Sequence, residues 1–373
     1  YSYLDGDVDQ EYYREGIYVG YRYFDSYDVE PRYPFGYGLS YTDFSVEKEK
    51  VEVDGTKVTV TAKVTNTGSV YSGKEVVQLY VSCPQTGMAK EYQKLAAFAK
   101  TEEIRPGESG SVTLLFDIQE LAFYREEDAA YVLEKGDYIL RLGSSSRDTS
   151  AAAVLVLDEE IVTEQCENIC PVVLKVREME PPMNADTDDE QDNDIERIPV
   201  KTADIATVGH RYEDPEIYSS PVVDAVLNVL SDDELCDVVT GAGVRGDGPR
   251  FFDAPGSAGY TTGELIAKGL PNVCLADGPA GLRLQKTSAV MHNGRLKGVE
   301  PMLSAMNYIP DFAKKFTLGN PEKQPCVYQF ATSFPVGLAL AQSWNTALVE
   351  RVGKAVGKEM ERYGVTYWLA PGM

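Results

Sequence analysis

The sequence predicts a multidomain chain in which an all-β sandwich precedes an α/β region, and three observations carry the prediction. Short apolar runs alternate with turn signals from Phe44 to about Leu157. A polar, acidic stretch then interrupts the pattern, and beyond Ala203 it becomes strand, crossover helix, strand. With 373 residues, 43% hydrophobic and 25% charged, the chain can bury the cores of two or three domains.

Residues 1–43 are dense in tyrosine, phenylalanine and glycine. Alternation from Ile17 to Phe24 predicts a strand, and Pro31, Pro34, Gly36 and Gly38 predict turns after it. So many tyrosines could line a sugar-binding cleft. The preferred reading is the tail of a domain whose core lies upstream, because aromatics are ordinary core and interface material. Between residues 44 and 157 the predicted strands are Val58–Asn66, Glu75–Ser82, Leu95–Thr101, Ser111–Phe116, Ala130–Leu133, Gly136–Leu142 and Ala151–Leu157. About seven short strands in ~110 residues suit an immunoglobulin-like or fibronectin type III sandwich. That pattern is complete in itself, so the segment is expected to fold alone.

Residues 158–202 read as an acidic linker. Its centre, NADTDDEQDND from Asn184 to Asp194, cannot repay the entropy of ordering. It imitates a calcium loop, but Gln191 stands where the turn glycine belongs and Arg197 where the bidentate glutamate belongs. In residues 203–373 a capping box, Ser231-x-x-Glu234, opens a short helix. A glycine-rich loop follows, then a strand from Leu270 to Ala276 and a long polar insertion from Gln285 to about Gln324. Val349, Val352, Val356, Met360 and Tyr363 mark one face of a helix over Thr346–Tyr363, which Gly364 should stop. A second strand over Val365–Ala370 completes the unit.

The stretch LADGPAGLR, Leu275 to Arg283, holds the most chemistry. It places Asp277 at the carboxyl end of a strand and Arg283 across a glycine turn. A carboxylate there accepts two hydroxyl hydrogen bonds and a guanidinium donates in a planar fork, so the pair can grip vicinal hydroxyls. A structural salt bridge across the turn is the competing reading. Gly241, Gly243 and Gly246 fit a dinucleotide fingerprint in spacing only, since a helix precedes them and prolines follow. No Ser, His and Asp set suggests a nucleophilic triad.

A net charge of −24 argues against nucleic acid and anionic membranes as partners and is compatible with a neutral substrate. No apolar run approaches the ~20 residues that span a bilayer. Six irregularly spaced cysteines with His210 and His292 make no convincing zinc set, and neither metal nor cofactor is expected. Free thiols suit a reducing, cytoplasmic setting. The chain begins at Tyr1 without an initiator Met or signal-like segment, so this is not expected to be the start of the gene product.

The glycine-rich loop, LADGPAGLR, ATSFPVGLALAQSWN and the helix and strand after them resemble the amino-terminal barrel of glycoside hydrolase family 3, the β-glucosidase family. YREGIYVGYRYFDSYDVEPRYPFGYGLSYTDF resembles the end of that family's α/β sandwich domain. EVVQLYVS, PGES, LAFY and GDYILRLGSSSRD resemble its fibronectin type III-like domain. The resemblance implies the end of an α/β sandwich, then an all-β fibronectin type III-like sandwich, then the start of a TIM-type barrel. That order reverses the usual one, resembles a circularly permuted subgroup, and implies truncation at both ends. A fusion of adjacent genes would give the same order. The family's sugar-binding roles fall on Asp277 and Arg283. Its nucleophilic Asp and acid/base Glu are expected outside residues 1–373, so the implied parent is a retaining exo-β-glucosidase acting on a small glycoside, while the chain itself is expected to be inactive. A non-catalytic carbohydrate-binding or scaffolding protein built from degenerate parts is the alternative.

Overall fold

Alternation along Lys57–Asn66 sets the architecture of the first unit: Val58, Val60, Ala62 and Val64 are wholly buried and the residues between them only partly so. The computed structural model describes residues 12–173, 176–181, 195–212, 220–241, 254–301, 308 and 310–371. The chain divides into two units between Asp214 and Pro215.

In the first unit a short helix, α1 (Tyr21–Ser26), precedes β1 (Phe44–Asp54), β2 (Lys57–Asn66), β3 (Val76–Ser82), β4 (Lys94–Lys100), β5 (Ser109–Asp117) and β6 (Phe123–Arg125). The chain continues through β7 (Ala130–Leu133), β8 (Gly136–Ser145), β9 (Asp148–Leu157), β10 (Ile161–Gln165), β11 (Arg197–Pro199) and β12 (Val208–Gly209). A three-stranded sheet, β1-β2-β5, and a five-stranded sheet, β11-β9-β8-β3-β4, enclose one core of Val60, Val64, Leu79, Val81, Leu140 and Leu155. A third sheet runs β12-β10-β7-β6.

Three features depart from the sequence reading. The strand expected over Ile17–Phe24 is replaced by α1, which follows Gly20 at φ +58°. Beside its ring contacts it makes polar ones, which apolar alternation cannot signal: Gln93 Nε2 donates to Asp25 Oδ2 at 2.9 Å, the Tyr92 amide to Ser26 Oγ at 2.9 Å, and the Leu95 amide to the Tyr21 hydroxyl at 2.9 Å. The strand β1 went unread because Glu47, Lys48, Glu49, Lys50 and Glu52 mask its alternation; charges of this kind protect an edge strand from further pairing. The expected linker of 158–202 contributes strands at both ends. Ile161 pairs with Leu133 and Arg197 with Val154, while Val200 joins the core. These strands are too short to show a period, and Arg197 is pinned by two bonds to Asp137, at 2.6 and 2.7 Å. The acidic centre, 184–194, lies outside the described residues.

In the second unit, α2 (Pro221–Leu227) and α3 (Asp232–Thr240) come first, and α3 carries the expected Ser231–Glu234 capping box. Most of the glycine-rich loop, 242–253, lies outside the described residues. Next come β13 (Gly259–Tyr260), β14 (Cys274–Asp277), β15 (Thr287–Val290), β16 (Leu296–Gly298), α4 (Asp311–Thr317) and β17 (Cys326–Tyr328). The unit closes with α5 (Gly337–Ala341), α6 (Thr346–Tyr363) and β18 (Tyr367–Leu369). The polar insertion folds as an antiparallel sheet, β16-β15-β17. Helix α6 has the expected limits: the Asn345 side chain accepts from the Leu348 amide at 3.0 Å, and Gly364 ends it at φ +68°.

Strands β14 and β18 are parallel neighbours joined through α6, as a strand–helix–strand unit requires. Strand β13 is antiparallel to β14, an element that a barrel of parallel strands does not contain. The described residues of the second unit therefore hold one parallel strand pair, β14-β18, and no closed (β/α)8 barrel. Val356, Ala276, Tyr260, Leu282 and Val365 form the core between sheet and helix.

Candidate functional site

Strand β14 has two faces. Ala276 lies opposite Trp368 of β18, and both pack toward Val352, Val356 and Met360 of α6. Successive side chains of a strand point to opposite sides, so Asp277 stands on the face away from α6. Its cross-strand neighbour is Leu369, 49% exposed; Tyr367, opposite Leu275, is 60% exposed.

The turn beyond Asp277 is built by backbone. The Gly281 amide donates to the Gly278 carbonyl at 3.2 Å around Pro279 and Ala280, and the Arg283 amide donates to the Asp277 carbonyl at 2.8 Å. Gly278 takes φ +127°, and a Cβ there would lie 1.9 Å from the Gly281 carbonyl oxygen. Gly281 takes φ +108°, and a Cβ there would lie 2.2 Å from the Thr332 carbonyl oxygen. Only glycine fits either place.

More distant residues clasp this turn. The Phe334 amide donates to the Ala280 carbonyl at 2.8 Å, and Trp368 Nε1 donates to the Gly278 carbonyl at 2.8 Å. Thr332 is tied in turn to α6, its amide donating to Glu359 Oε2 at 3.1 Å. Sequence reasoning missed these partners, because each bond joins residues far apart along the chain.

The geometry brings the two expected residues together. Arg283 Nη2 donates to Asp277 Oδ2 at 2.6 Å, with 57% and 38% of their side chains exposed. Asp277 Oδ1 has no partner among the described residues. An ion pair this open contributes only about 0–1 kcal/mol to stability. It holds two charged groups in one geometry at a strand's carboxyl end, where a polyhydroxylated ligand can receive hydrogen bonds from one and donate to the other.

Two cysteines, Cys83 and Cys274, are buried. Burial pushes the Cys83 thiol up to about 12, and burial also raises that of Cys274 within β14. Among the described residues no group of three His, Cys, Asp or Glu side chains could hold a metal ion, and no helix is long and apolar enough to cross a membrane.

Comparison with known proteins places the chain in a family. Residues 75–146 match the fibronectin type III-like domain family. A β-glucosidase of Ruminococcus albus is 30% identical over 98% of this chain and 35% of its own length. β-Glucosidase A of Butyrivibrio fibrisolvens is 29% identical over 98% of this chain and 44% of its own. The solved structure of a β-glucosidase from Paenibacillus barengoltzii superposes with a TM-score of 0.68 at 29% identity, over 98% of this chain and 38% of that one. The chain thus spans less than half the length of the relatives it matches, and its sandwich-then-α/β order runs through both sequence alignments. The chain belongs to the β-glucosidase family of glycoside hydrolases, family 3.

Proposed function

We propose that this chain supplies the glucose-gripping part of a retaining, exo-acting β-glucosidase that releases terminal non-reducing β-D-glucosyl residues from oligosaccharides or other small glycosides. The observation that carries the reading is the exposed Asp277–Arg283 pair at the carboxyl end of β14, in a chain of this family. Asp277 accepts hydrogen bonds from adjacent hydroxyls of the glucosyl ring, and Arg283 orients the carboxylate and donates to a ring oxygen substituent. Both interactions are charge-assisted, worth roughly 1.5–3 kcal/mol each, and a neutral sugar is compatible with the −24 charge.

Gripping the ring is not hydrolysing it. Retention needs two further carboxylates about 5–5.5 Å apart, one to attack the anomeric carbon and one to protonate the leaving oxygen. In this reading both lie outside residues 1–373, no residue of this chain is catalytic, and no metal or cofactor takes part. The test compares the purified chain with the in-frame longer protein on an aryl β-glucoside. Turnover is expected from the longer protein alone. Turnover by residues 1–373, at a rate that survives further purification, would overturn the assignment.

A further inference from the structure

We propose that Trp368 is a positioning residue for sugar binding: its indole N–H, donating to the Gly278 carbonyl, sets the turn that presents Asp277 and Arg283. The inference rests on the sugar-gripping reading above and names a residue that acts through that pair without touching the ligand.

The Gly278 carbonyl is the hub of the turn. It accepts the turn-closing bond from the Gly281 amide at 3.2 Å and the indole bond from Trp368 at 2.8 Å. Of the two, the indole bond is the shorter, and it comes from β18, an element 90 residues further along the chain. Gly278 follows Asp277 directly, and a glycine peptide at φ +127° is the least restricted by its own side chain. The backbone bonds of the turn hold it from within, and the indole bond adds a hold from outside the turn. The Trp368 ring is itself fixed, packed in the core formed by Ala276, Leu282 and Val356. Ala276, its register partner, is wholly buried and small enough to leave room for the indole. On the opposite face, the side chains of Asp277 and Arg283 are more than a third exposed. The order needed for tight binding is thus supplied from beneath, by a residue whose ring packs toward the helix.

The variant that isolates the bond is Trp368→Phe, which keeps an aromatic ring in the core and removes the N–H. Only two tryptophans occur in the chain, so nitrogen-15 spectra of wild type and variant identify the Trp368 indole resonance by its loss. Three readings on residues 1–373 decide the matter. The Trp368 indole proton should exchange slowly with deuterium. In the variant, amide exchange at Gly281 and Arg283 should accelerate by tenfold or more while α6 amides keep their protection. Glucose titrated into the wild-type chain should move the indole resonance, and the variant should bind glucose about tenfold more weakly at a nearly unchanged melting temperature. Unchanged exchange in the turn, or acceleration spread evenly over α6 and the sheet, overturns the proposal, as does undiminished glucose affinity. If the wild-type chain binds no glucose, both the sugar-gripping reading and Trp368's role in binding fall. The exchange data then still decide separately whether Trp368 holds the turn.

Discussion

At the scale of single residues, the Asp277–Arg283 turn separates groups that hold the fold from groups that face outward. Asp277 is partly exposed and its ion pair is open to water, so Asp277→Ala should lower stability by no more than about 1 kcal/mol. In the longer protein the same change should reduce kcat/KM by about two to four orders of magnitude, if the carboxylate's hydrogen bonds tighten as the sugar flattens toward its transition state. Gly281→Ala should do the reverse. Its Cβ would meet the Thr332 carbonyl at 2.2 Å in a backbone conformation that alanine resists, so the loss should appear in the melting temperature before kinetics are considered. Measuring both quantities on both variants tests the division of labour. A large stability loss for Asp277→Ala with normal kinetics would make the pair a structural bridge. Asp277 and Arg283 were legible in sequence because strand, glycine turn and charges are all local. Trp368, Phe334, Thr332 and Glu359 were not, because their bonds to the turn and to each other join positions far apart in sequence.

Secondary-structure elements were legible where their ends carry their own signals. The α6 cap at Asn345 and its stop at Gly364 are short-range chemistry, and so is the Ser231–Glu234 box of α3. Elements defined by tertiary partners escaped: α1 by its polar seat on the sheet, β1 by its charges, and β10 to β12 by their brevity. The α3 box also has a tertiary component that gives it a pH dependence. Lys268 Nζ donates to Glu234 Oε2 at 2.6 Å and the Ser231 amide donates to the same oxygen at 2.8 Å, which together, the lysine first, lower the Glu234 carboxyl to about 2. A carboxyl that is more acidic in the folded state than its ordinary 4.5 stabilises fully above that value. The contribution then fades as pH falls from 4.5 toward 2. Glu234→Gln keeps a capping side chain but cannot titrate, so its helicity should be lower at pH 6 and less sensitive to acid across that window. Parallel acid-unfolding curves for wild type and variant would show that the Lys268 bond carries no weight.

For the molecule as a whole, the useful boundary is that of the first unit, and the structure moves it outward from the sequence reading. The strand pattern marks 44–157 as self-sufficient, yet the five-stranded sheet is covered on its outer face as well as its inner one. Gln78, Tyr80 and Arg141 are buried there. Arg141 Nε donates to Ser82 Oγ at 2.9 Å and its guanidinium lies 5.1 Å from the centre of the Tyr92 ring. The cover is the aromatic segment before Phe44: Tyr21 stacks on Phe35 at 4.7 Å and meets Tyr80 edge-on at 5.9 Å. Removing residues 12–43 strips these rings away, at roughly 1–2 kcal/mol for each partly buried aromatic. It also leaves a buried arginine and two buried polar side chains to find new hydration. Cutting at 157 removes β10 and β11 and takes Val200 and Ile205 from the core. Residues 12–212 should therefore melt in one cooperative transition, and 44–157 in a broader one at least about 10 °C lower. Calorimetry on the two segments makes the comparison. Equal, equally sharp transitions would mean that the aromatic cover and the flanking strands are passengers on a sandwich complete without them.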